Sequence, residues 1–311
     1  MIAGIDAGQT GVRAALEDAA PGPVVAGVPR MEGDVTPDRV ADALLVALAS
    51  VVGQDGVDAV GVGMSGFELA SAPDLVHIAA RLREVAGPGA RVALASDGVT
   101  SLIGALGGAR PGVVVAAGTG VVVLAHDGAA GWARVDGWGA LLGDDGSGFA
   151  VGRAGLRAAM RAFDGREGGS AALRTAAEGR WGPVQTLPAA VLRQEEPPSR
   201  AVASFAPDVA AAARDGDPVA IAIWARAGDG LARSVAAACE RTFAEGSEVD
   251  VVRLGNLWGA GDLLDAPFRA GLAARWPDAR VVAAAGTSLD GAIELAGSDA
   301  PGPVRGLLWR G

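Results

Sequence analysis

The chain has 311 residues, of which half are hydrophobic and a fifth are charged, so it can bury two cores and does not resemble a disordered protein. Its formal net charge is −10, and its 26 basic residues are all arginine and form no basic run, which argues against a nucleic-acid partner. The single cysteine, Cys239, excludes an internal disulfide and a cysteine-based metal site within one chain.

The distribution of apolar residues predicts neither a membrane span nor an export signal. No basic segment followed by an apolar stretch precedes the first strand pattern, and no apolar run reaches the roughly 18 residues that a membrane span needs. We therefore expect no membrane partner and a cytoplasmic location.

Strand and helix patterns alternate along the first third of the chain. Apolar runs rich in β-branched residues predict strands at 2–5, 12–16, 24–28, 59–64 and 92–95. Helical periodicity predicts helices at about 37–52, 74–86 and 97–106. Three successive strands followed by alternating helices and strands predict an α/β fold, with helices on the faces of a mixed sheet.

A second strand-turn-strand follows the glycine-rich hinge at 107–112. It spans 113–125 and, like the first one, carries a threonine in its turn. Beyond it the pattern predicts helices from about 147 to 245 with a break at 194–199, then a strand at 249–254, a helix at 261–274, a strand at 280–282 and a helix at 288–296. The repetition predicts two lobes, 1–109 and 110–311, that are duplicated mixed-sheet domains facing each other across a cleft; the last helix could pack back on the first lobe.

The first turn, in "GIDAGQTGVRAAL" (4–16), has the residues of a phosphate-binding bend. Backbone N–H groups of residues 7–10, which include Gly8 and Gln9, and the Thr10 hydroxyl can donate to phosphate oxygens without a lysine. Asp6 would face a magnesium ion, mostly through water. The plain alternative is a strand-turn-strand with an aspartate in its turn.

The second turn, in "AAGTGVV", places Thr119 between Gly118 and Gly120, which lets the backbone approach a ligand closely. Together the two turns predict a clamp on the phosphates of a nucleotide.

Asp97 ends a strand pattern and opens a helix in "LASDGVTSLIGAL". One interpretation is an N-cap, because aspartate is favoured there. The other is a general base, since a carboxylate at the carboxyl end of a strand can take a proton from a substrate hydroxyl. Both interpretations can hold together.

Two glycine-rich segments complete the candidate site. In "GWGALLGDDGSG", Trp138 could stack on a sugar ring and Asp144 could accept hydrogen bonds from its hydroxyls; the alternative is a helix entrance capped by Asp145 or Ser147. In "RLGNLWGAG", Asn256, the only asparagine, could bind ribose or base, or could merely occupy a left-handed turn.

These motifs, in this order, resemble the N-acetylglucosamine kinase-like family, also described as the BadF/BadG/BcrA/BcrD ATPases of the actin, hexokinase and sugar-kinase superfamily. The resemblance implies a two-lobed actin-like ATPase (ribonuclease H-like) fold that closes on MgATP and a sugar, and relatives are frequently homodimers. It implies the following roles: Asp97 as catalytic base, Asp6 at magnesium, Gly8, Gln9, Thr10, Gly118, Thr119 and Gly120 at the phosphates, Gly255 and Asn256 at adenosine, and Gly137, Trp138, Gly139 and Asp144 at the sugar.

The sequence departs from the amino-sugar kinases of this family on the sugar side. Val121 and Val122 stand where those kinases have a Ser-Asn pair, and an asparagine expected after the third strand has no counterpart near 29–33. We expect an ATP-dependent kinase that phosphorylates a hydroxyl of a hexose or amino sugar. The alternative is a nucleotide-binding ATPase that acts as a switch and phosphorylates no sugar.

Overall fold

The computed structural model describes residues 1–29, 34–193, 197–299, 302, 304 and 306–311. The strands are β1 Ile2–Ala7, β2 Val12–Leu16, β3 Ala59–Met64, β4 Arg91–Ser96, β5 Gly112–Ala117, β6 Val121–His126, β7 Trp132–Val135, β8 Val249–Leu254, β9 Ala279–Val282 and β10 Leu308–Arg310. The helices are α1 Pro37–Ala49, α2 Ala72–Ala86, α3 Asp97–Leu106, α4 Gly148–Asp164, α5 Ala171–Trp181, α6 Leu187–Leu192, α7 Pro198–Ala203, α8 Ala206–Arg214, α9 Pro218–Thr242, α10 Asp262–Arg275 and α11 Ser288–Gly297.

The chain divides into two compact units, and neither is continuous in sequence. Unit 1 comprises Met1–Val114, His126–Trp132 and Ala283–Gly311, and unit 2 comprises Val115–Ala125 and Ala133–Val282. Each contains most of one five-stranded sheet. The first sheet has the strand order β10-β4-β3-β1-β2, and the second has the order β7-β6-β5-β8-β9. None of the helices in the described part of the chain combines the length and the apolar character that crossing a bilayer requires.

The first sheet is mixed. Strands β1, β3 and β4 run parallel, whereas β2 and β10 are antiparallel to their neighbours. Alternate residues of a strand face opposite sides of a sheet, so the apolar side chains of β1 and β3 share one face. Ile5 and Val62, on that face, join the core that includes Leu44 of α1 and Ile78 of α2.

The opposite face of the first sheet is lined by glycine, and helices α3 and α11 approach it closely. A Cβ atom at Gly61 would lie 2.0 Å from the carbonyl oxygen of Ala292 in α11, and one at Gly63 would lie 2.0 Å from Thr100 Oγ1 in α3. The two helices also meet through glycine, because a Cβ atom at Gly104 would lie 1.8 Å from the Thr287 carbonyl oxygen. Close backbone packing therefore holds these two helices against the sheet.

Unit 2 is mostly helical outside its sheet. Its longest helix, α9, begins after Asp217, whose carboxylate accepts a hydrogen bond from the Ala220 N–H (2.8 Å). Helix α9 packs on α10 where Gly228 leaves room for Pro267. Helix α4 packs against α5, α7, α8 and α9, so it lies at the centre of the helical layer.

The structure differs from the predicted elements in three places. Residues 24–28 form no strand but a single bridge from Val25 to Val12, because the prolines at 23 and 29, which lack an N–H donor, flank the stretch. Strand β7, of four residues, and strand β10, of three residues, were not predicted. The predicted break at 194–199 lies partly outside the described residues, and α7 begins at Pro198.

Candidate functional site

The carboxyl ends of the parallel strands β1, β3 and β4 meet at one edge of the first sheet, and three polar residues lie there. Asp6 is the penultimate residue of β1, Ser65 follows β3 and Asp97 follows β4. The strand register pairs Asp6 with Gly63 and Met64 with Ser96, which brings the three side chains to one edge. In open α/β sheets this edge is where ligands bind.

Asp97 is the first residue of α3 and is not its N-cap, so the capping interpretation was wrong. Ser96 occupies the cap position, and its hydroxyl accepts a hydrogen bond from the Val99 N–H (3.4 Å). The Asp97 carboxylate instead accepts a hydrogen bond from the Ser65 hydroxyl, with 2.5 Å between Ser65 Oγ and Asp97 Oδ2. The Asp97 side chain is therefore not used to cap the helix that begins with it.

The Asp6 carboxyl lies in a polar cluster with α11 and α3. Burial raises the pKa of the Asp6 carboxyl, and the nearby Asp97 carboxylate raises it further. A hydrogen bond from Ser288 and the charge of Arg13 act in the opposite direction, but the pKa stays above its ordinary value. The Ser288 hydroxyl is also 2.8 Å from Thr100 Oγ1. Magnesium usually takes one or two protein carboxylates together with phosphate oxygens and water, and a cation would relieve the repulsion between Asp6 and Asp97. The residues at this edge therefore fit a magnesium ion.

The first turn is closed by its own backbone. The Gly8 N–H donates to the Gly11 carbonyl oxygen (3.0 Å), so it is not free to bind phosphate as predicted. The chain at Gly27 packs behind the turn, where a Cβ atom would lie 2.0 Å from the Gln9 carbonyl oxygen. Gln9 and Thr10 are exposed at the tip, and within the described part of the chain their backbone N–H groups have no hydrogen-bond acceptor.

The second turn is held by the first residues of helix α4. The Gly118 N–H donates to the Gly120 carbonyl oxygen (2.9 Å), which closes the turn. The N–H groups of Gly148 and Phe149 donate to the carbonyl oxygens of Gly118 (2.8 Å) and Thr119 (3.0 Å), respectively. Two N–H groups at the start of α4, which have no partner within the helix, are thus bonded to the turn and hold it in place. The Thr119 side chain of this turn is exposed.

The segment from Asp136 to Ser147 is organised by one carboxylate that the sequence analysis missed. Asp136 accepts hydrogen bonds from the N–H groups of Gly137 (2.8 Å), Asp144 (2.6 Å) and Asp145 (2.9 Å). Ser147 then caps α4 by accepting a hydrogen bond from the Ala150 N–H (3.1 Å), as one of the two predicted capping alternatives required.

Asp144 lies against the second turn. It is only 7% exposed, and its Oδ1 accepts a hydrogen bond from the Val121 N–H at 3.3 Å. A Cβ atom at Gly120 would lie 2.7 Å from Asp144 Oδ2, so this glycine is required for the contact. Burial raises the pKa of the Asp144 carboxyl, as does the nearby Asp136 charge, whereas the Val121 and Gly139 N–H groups lower it.

Trp138 projects from the same segment and is 69% exposed. The Arg134 guanidinium lies 5.7 Å from the centre of the Trp138 ring, and its Nη2 donates to the Gly137 carbonyl oxygen (2.7 Å). Val122 packs beside Gly137, since a Cβ atom at Gly137 would lie 3.2 Å from Val122 Cγ2. Gly137 and Gly139 both have positive φ angles, 74° and 85°, which few other residues adopt.

The segment "RLGNLWGAG" packs against the second turn at Gly255. Its φ is 97°, and a Cβ atom there would lie 2.2 Å from the carbonyl oxygen of Ala117, the residue just before the turn. Asn256 begins a short 3₁₀ helix, Asn256–Ala260, and has no positive φ. The interpretation of Asn256 as a left-handed turn residue was therefore wrong, because Gly255 has that role.

The predicted residues thus form two clusters, one in each unit. A family model described as the BadF/BadG/BcrA/BcrD ATPase family matches residues 3–289. The chain belongs to this family. The family assignment made from the ordered motifs is confirmed.

Two solved structures resemble this BadF/BadG/BcrA/BcrD family member over most of their length. One, assigned as an N-acetylglucosamine kinase from Chromobacterium violaceum, is 27% identical, with a TM-score of 0.69 and coverage of 94% of this chain and 98% of that chain. The other is a ROK family glucokinase from Streptomyces griseus in complex with glucose and AMPPNP; it is 19% identical, with a TM-score of 0.55 and coverage of 95% and 98%. The prediction of an actin-like α/β fold with two mixed sheets is confirmed.

A curated relative matches a short part of the family member. It is an N-acetylmuramic acid/N-acetylglucosamine kinase from Clostridium acetobutylicum, 39% identical over 57 residues. The match spans 18% of this chain and about a fifth of that protein (19%).

Sequence reasoning missed three polar residues that form hydrogen bonds within the candidate site. Asp136 carried a recognisable signal, since an aspartate before glycine commonly bonds to the backbone N–H groups of its own turn. Ser65 and Ser288 carried no such signal, because each bonds to a residue that is distant in the sequence. Ser65 bonds to Asp97, 32 residues away, and Ser288 bonds to Asp6, near the other end of the chain.

Proposed function

We propose that the protein is an ATP-dependent sugar kinase, a phosphotransferase with an alcohol group as acceptor. The observation that carries the proposal is Asp97, which lies at the ligand-binding edge of the first sheet with its carboxylate held by Ser65 and unused by the helix. Membership of an ATPase family and the similarity to structures of sugar kinases support it.

In the proposed reaction Asp97 acts as general base. Its Oδ2 accepts the Ser65 hydrogen bond, so we assign Oδ1 to the substrate hydroxyl. As Oδ1 takes the proton, the hydroxyl oxygen bonds to the γ-phosphorus of ATP, the bond to the bridging oxygen breaks and ADP leaves. The products are a sugar phosphate and ADP, with the proton on Asp97.

The two turns are proposed to bind the phosphates of ATP. In unit 1, the exposed N–H groups of Gln9 and Thr10 and the Thr10 hydroxyl would donate to phosphate oxygens, with Gly8 closing the turn. In unit 2, Thr119 would donate from a turn that α4 holds rigid. When bound, Mg²⁺ would neutralise phosphate charge, and Asp6 would hold it, mostly through water. Gly255 and Asn256 would receive the adenosine.

The sugar is proposed to bind beside the segment that Asp136 organises, near Gly137, Trp138, Gly139 and Asp144. An exposed indole face is suited to stacking on a sugar ring. Val122, beside Gly137, offers no hydrogen bond, and an amide left unpaired against it would lose roughly 1 to 3 kcal/mol. We therefore propose a hexose or amino sugar as acceptor and expect weak recognition of an N-acetyl group.

The decisive experiment is a panel of hexoses, amino sugars and N-acetylated amino sugars, incubated with MgATP while ADP release is measured. We expect release that depends on one sugar, and loss of at least a thousandfold in kcat for Asp97→Asn with ATP affinity nearly unchanged. Asp55→Asn, which removes an exposed carboxylate of the same unit, is the matched control and should keep wild-type turnover. Unchanged turnover in Asp97→Asn would remove Asp97 from the mechanism.

The second candidate is an ATPase that acts as a switch without phosphorylating a sugar. It is favoured by one observation, the valines at 121 and 122, which leave part of the sugar segment without polar groups. ADP release that is the same with and without every sugar of the panel would select this candidate over the kinase.

A further inference from the structure

Helices α4 and α9 of unit 2 enclose a groove on the surface. Its larger part is a cavity of about 520 Å³ lined by Arg157 and Arg161 of α4 and Arg226 of α9. Its smaller part, about 290 Å³, continues past Arg226 towards Asp145. We call the larger part the arginine groove.

The arginine groove itself has no carboxylate in its lining, whereas Asp145 and Asp229 line the smaller part beside Arg226. None of the three arginines of the groove forms an ion pair with another described residue. Arginines elsewhere in unit 2 are paired, for example Arg174 with Glu178 (3.3 Å) and Arg180 with Asp208 (2.8 Å). In a chain of net charge −10, this cavity is lined by three arginines and by no carboxylate.

The arrangement within the groove also costs stability. Arg157 and Arg161 are four residues apart on α4, so their like charges face each other on one side of the helix and repel by a few tenths of a kcal/mol. The first turn of α9, at Pro218 and Val219, lines the same cavity, and the Asp217 carboxylate caps this end of the helix. A bound anion would relieve the repulsion between Arg157 and Arg161.

The floor of the groove is apolar. It is formed by small or aliphatic side chains, which include Ala158 and Ile223. Guanidinium groups bind phosphate with two parallel hydrogen bonds, and a cavity of this volume has the size of a small-molecule site. Cationic walls above an apolar floor suit a ligand that has a phosphate at one end and an apolar body at the other.

We propose that the arginine groove is a second ligand site, which binds a small phosphate monoester with an apolar body. The site is separate from the proposed kinase reaction, and it would stand if that reaction were disproved. Free inorganic phosphate shares the anionic chemistry but lacks the body, so the two ligands can be told apart by affinity.

The test is isothermal titration of the full chain with phenyl phosphate and, separately, with inorganic phosphate, both without magnesium. Phenyl phosphate resembles neither a nucleotide nor a sugar, so it is a poor ligand for the proposed kinase site. We expect it to bind the wild type more tightly than inorganic phosphate does. The double variant Arg157→Gln/Arg161→Gln should weaken its binding at least tenfold, and glutamine preserves helix propensity at the exposed Arg157 and the half-buried Arg161.

The matched control is Arg166→Gln/Arg174→Gln, which removes two positive charges from unit 2 outside the groove. It should bind phenyl phosphate as the wild type does. Three outcomes would overturn the proposal: no binding to the wild type, equal weakening in both double variants, or equal affinity for phenyl phosphate and inorganic phosphate. Circular dichroism of each variant would show that the helices remain folded.

Discussion

The Asp97 carboxylate is held by a residue of the neighbouring strand and not by its own helix. Ser65 follows β3, and its N–H donates to the Ala7 carbonyl oxygen (3.0 Å), which ties it to the end of β1. Its hydroxyl then donates to Asp97. A base must be held in a productive orientation, and small displacements of reacting groups can cost up to about a hundredfold in rate. Ser65 is therefore a positioning residue in the proposed reaction.

Removing that hydroxyl should slow turnover without weakening nucleotide binding. We expect Ser65→Ala to lower kcat roughly ten- to hundredfold and to leave the KM for ATP nearly unchanged, because only the orientation of Asp97 is lost. Ser65→Thr keeps the hydroxyl and should restore most of the activity. Steady-state kinetics of the three proteins would decide it: a loss of kcat in Ser65→Thr as large as in Ser65→Ala would contradict a positioning role.

Single residues show where sequence reasoning reached its limit. Asp97 could be predicted as a candidate because a carboxylate between a strand pattern and a helix pattern is a local signal. Its partner Ser65 could not be predicted, since the contact depends on the register that pairs Met64 with Ser96. The interpretation of Asp97 as the N-cap was also wrong, because the preceding residue, Ser96, is the N-cap of α3.

At the scale of helices and strands, the packing of α3 against α11 depends on glycines, which have no Cβ atom. Gly104 of α3 and Gly291 of α11 let the two backbones touch; Cβ atoms there would lie 1.8 Å from the Thr287 carbonyl oxygen and 1.9 Å from that of Thr100. This contact places Ser288 beside Thr100 and supplies the hydroxyl that bonds to Asp6. The packing of two helices thus controls the polar cluster at the sheet edge.

Adding one methyl group to this contact should be costly. We expect Gly104→Ala to lower the free energy of unfolding by about 3 kcal/mol, because rigid backbone must move to admit the Cβ atom. The control is Gly179→Ala, at an exposed position of helix α5, where a Cβ atom would meet nothing within 4 Å. That change should stabilise the protein by roughly 0.5 to 1 kcal/mol. Urea unfolding measures both; a similar small effect at the two positions would contradict the packing argument.

The elements were predictable to the extent that their signals are local. Strand β3 has a six-residue apolar pattern, and α2 has both periodicity and a capping serine, so each was found near its observed bounds. The stretch at 24–28 has a similar composition but forms one bridge, because the prolines that flank it, at 23 and 29, have no N–H to donate to a neighbouring strand. Strand β10 was missed since its three residues gain order only by pairing with β4.

For the whole molecule, the two units are assembled from segments far apart in sequence. Helix α11 belongs to unit 1, although more than 150 residues of unit 2 precede it. Periodicity indicates that a helix is present at 288–296 but carries no information about its packing partner. The glycines of α3 and α11 that determine this partner are recognisable only when both helices are seen together.

Stability of the whole molecule should fall on mild acidification because of one buried imidazole. His126, at the end of β6, is 1% exposed and stacks on Trp132 with 4.1 Å between ring centres. Burial lowers its pKa from the ordinary 6.5, although the Gly131 carbonyl oxygen and the Asp127 carboxylate both oppose the shift. At pH values between 6.5 and the lower pKa of the folded state, the unfolded chain binds a proton at His126 more readily than the folded chain does. The free energy of unfolding therefore decreases as the pH falls through this window.

Other groups with shifted pKa values act differently in this range. Burial raises the pKa values of the Asp6 and Asp144 carboxyls above 3.8, so these groups add stability as the pH falls from their folded values to 3.8. Their effect on stability has the opposite sign to that of His126. Burial raises the pKa of the Cys239 thiol to about 12, so it stays neutral throughout.

Comparing two proteins isolates the imidazole. From pH 7.5 to pH 5.5 we expect the wild type to lose about 1 kcal/mol more of its unfolding free energy than His126→Phe, since one proton contributes at most about 1.4 kcal/mol per pH unit below 6.5. Phenylalanine keeps an aromatic ring against Trp132 but cannot be protonated, so its overall stability can differ while its dependence on pH is reduced. The quantity to measure is the slope of unfolding free energy against pH. Parallel curves for the two proteins would mean that His126 titrates alike in the folded and unfolded states.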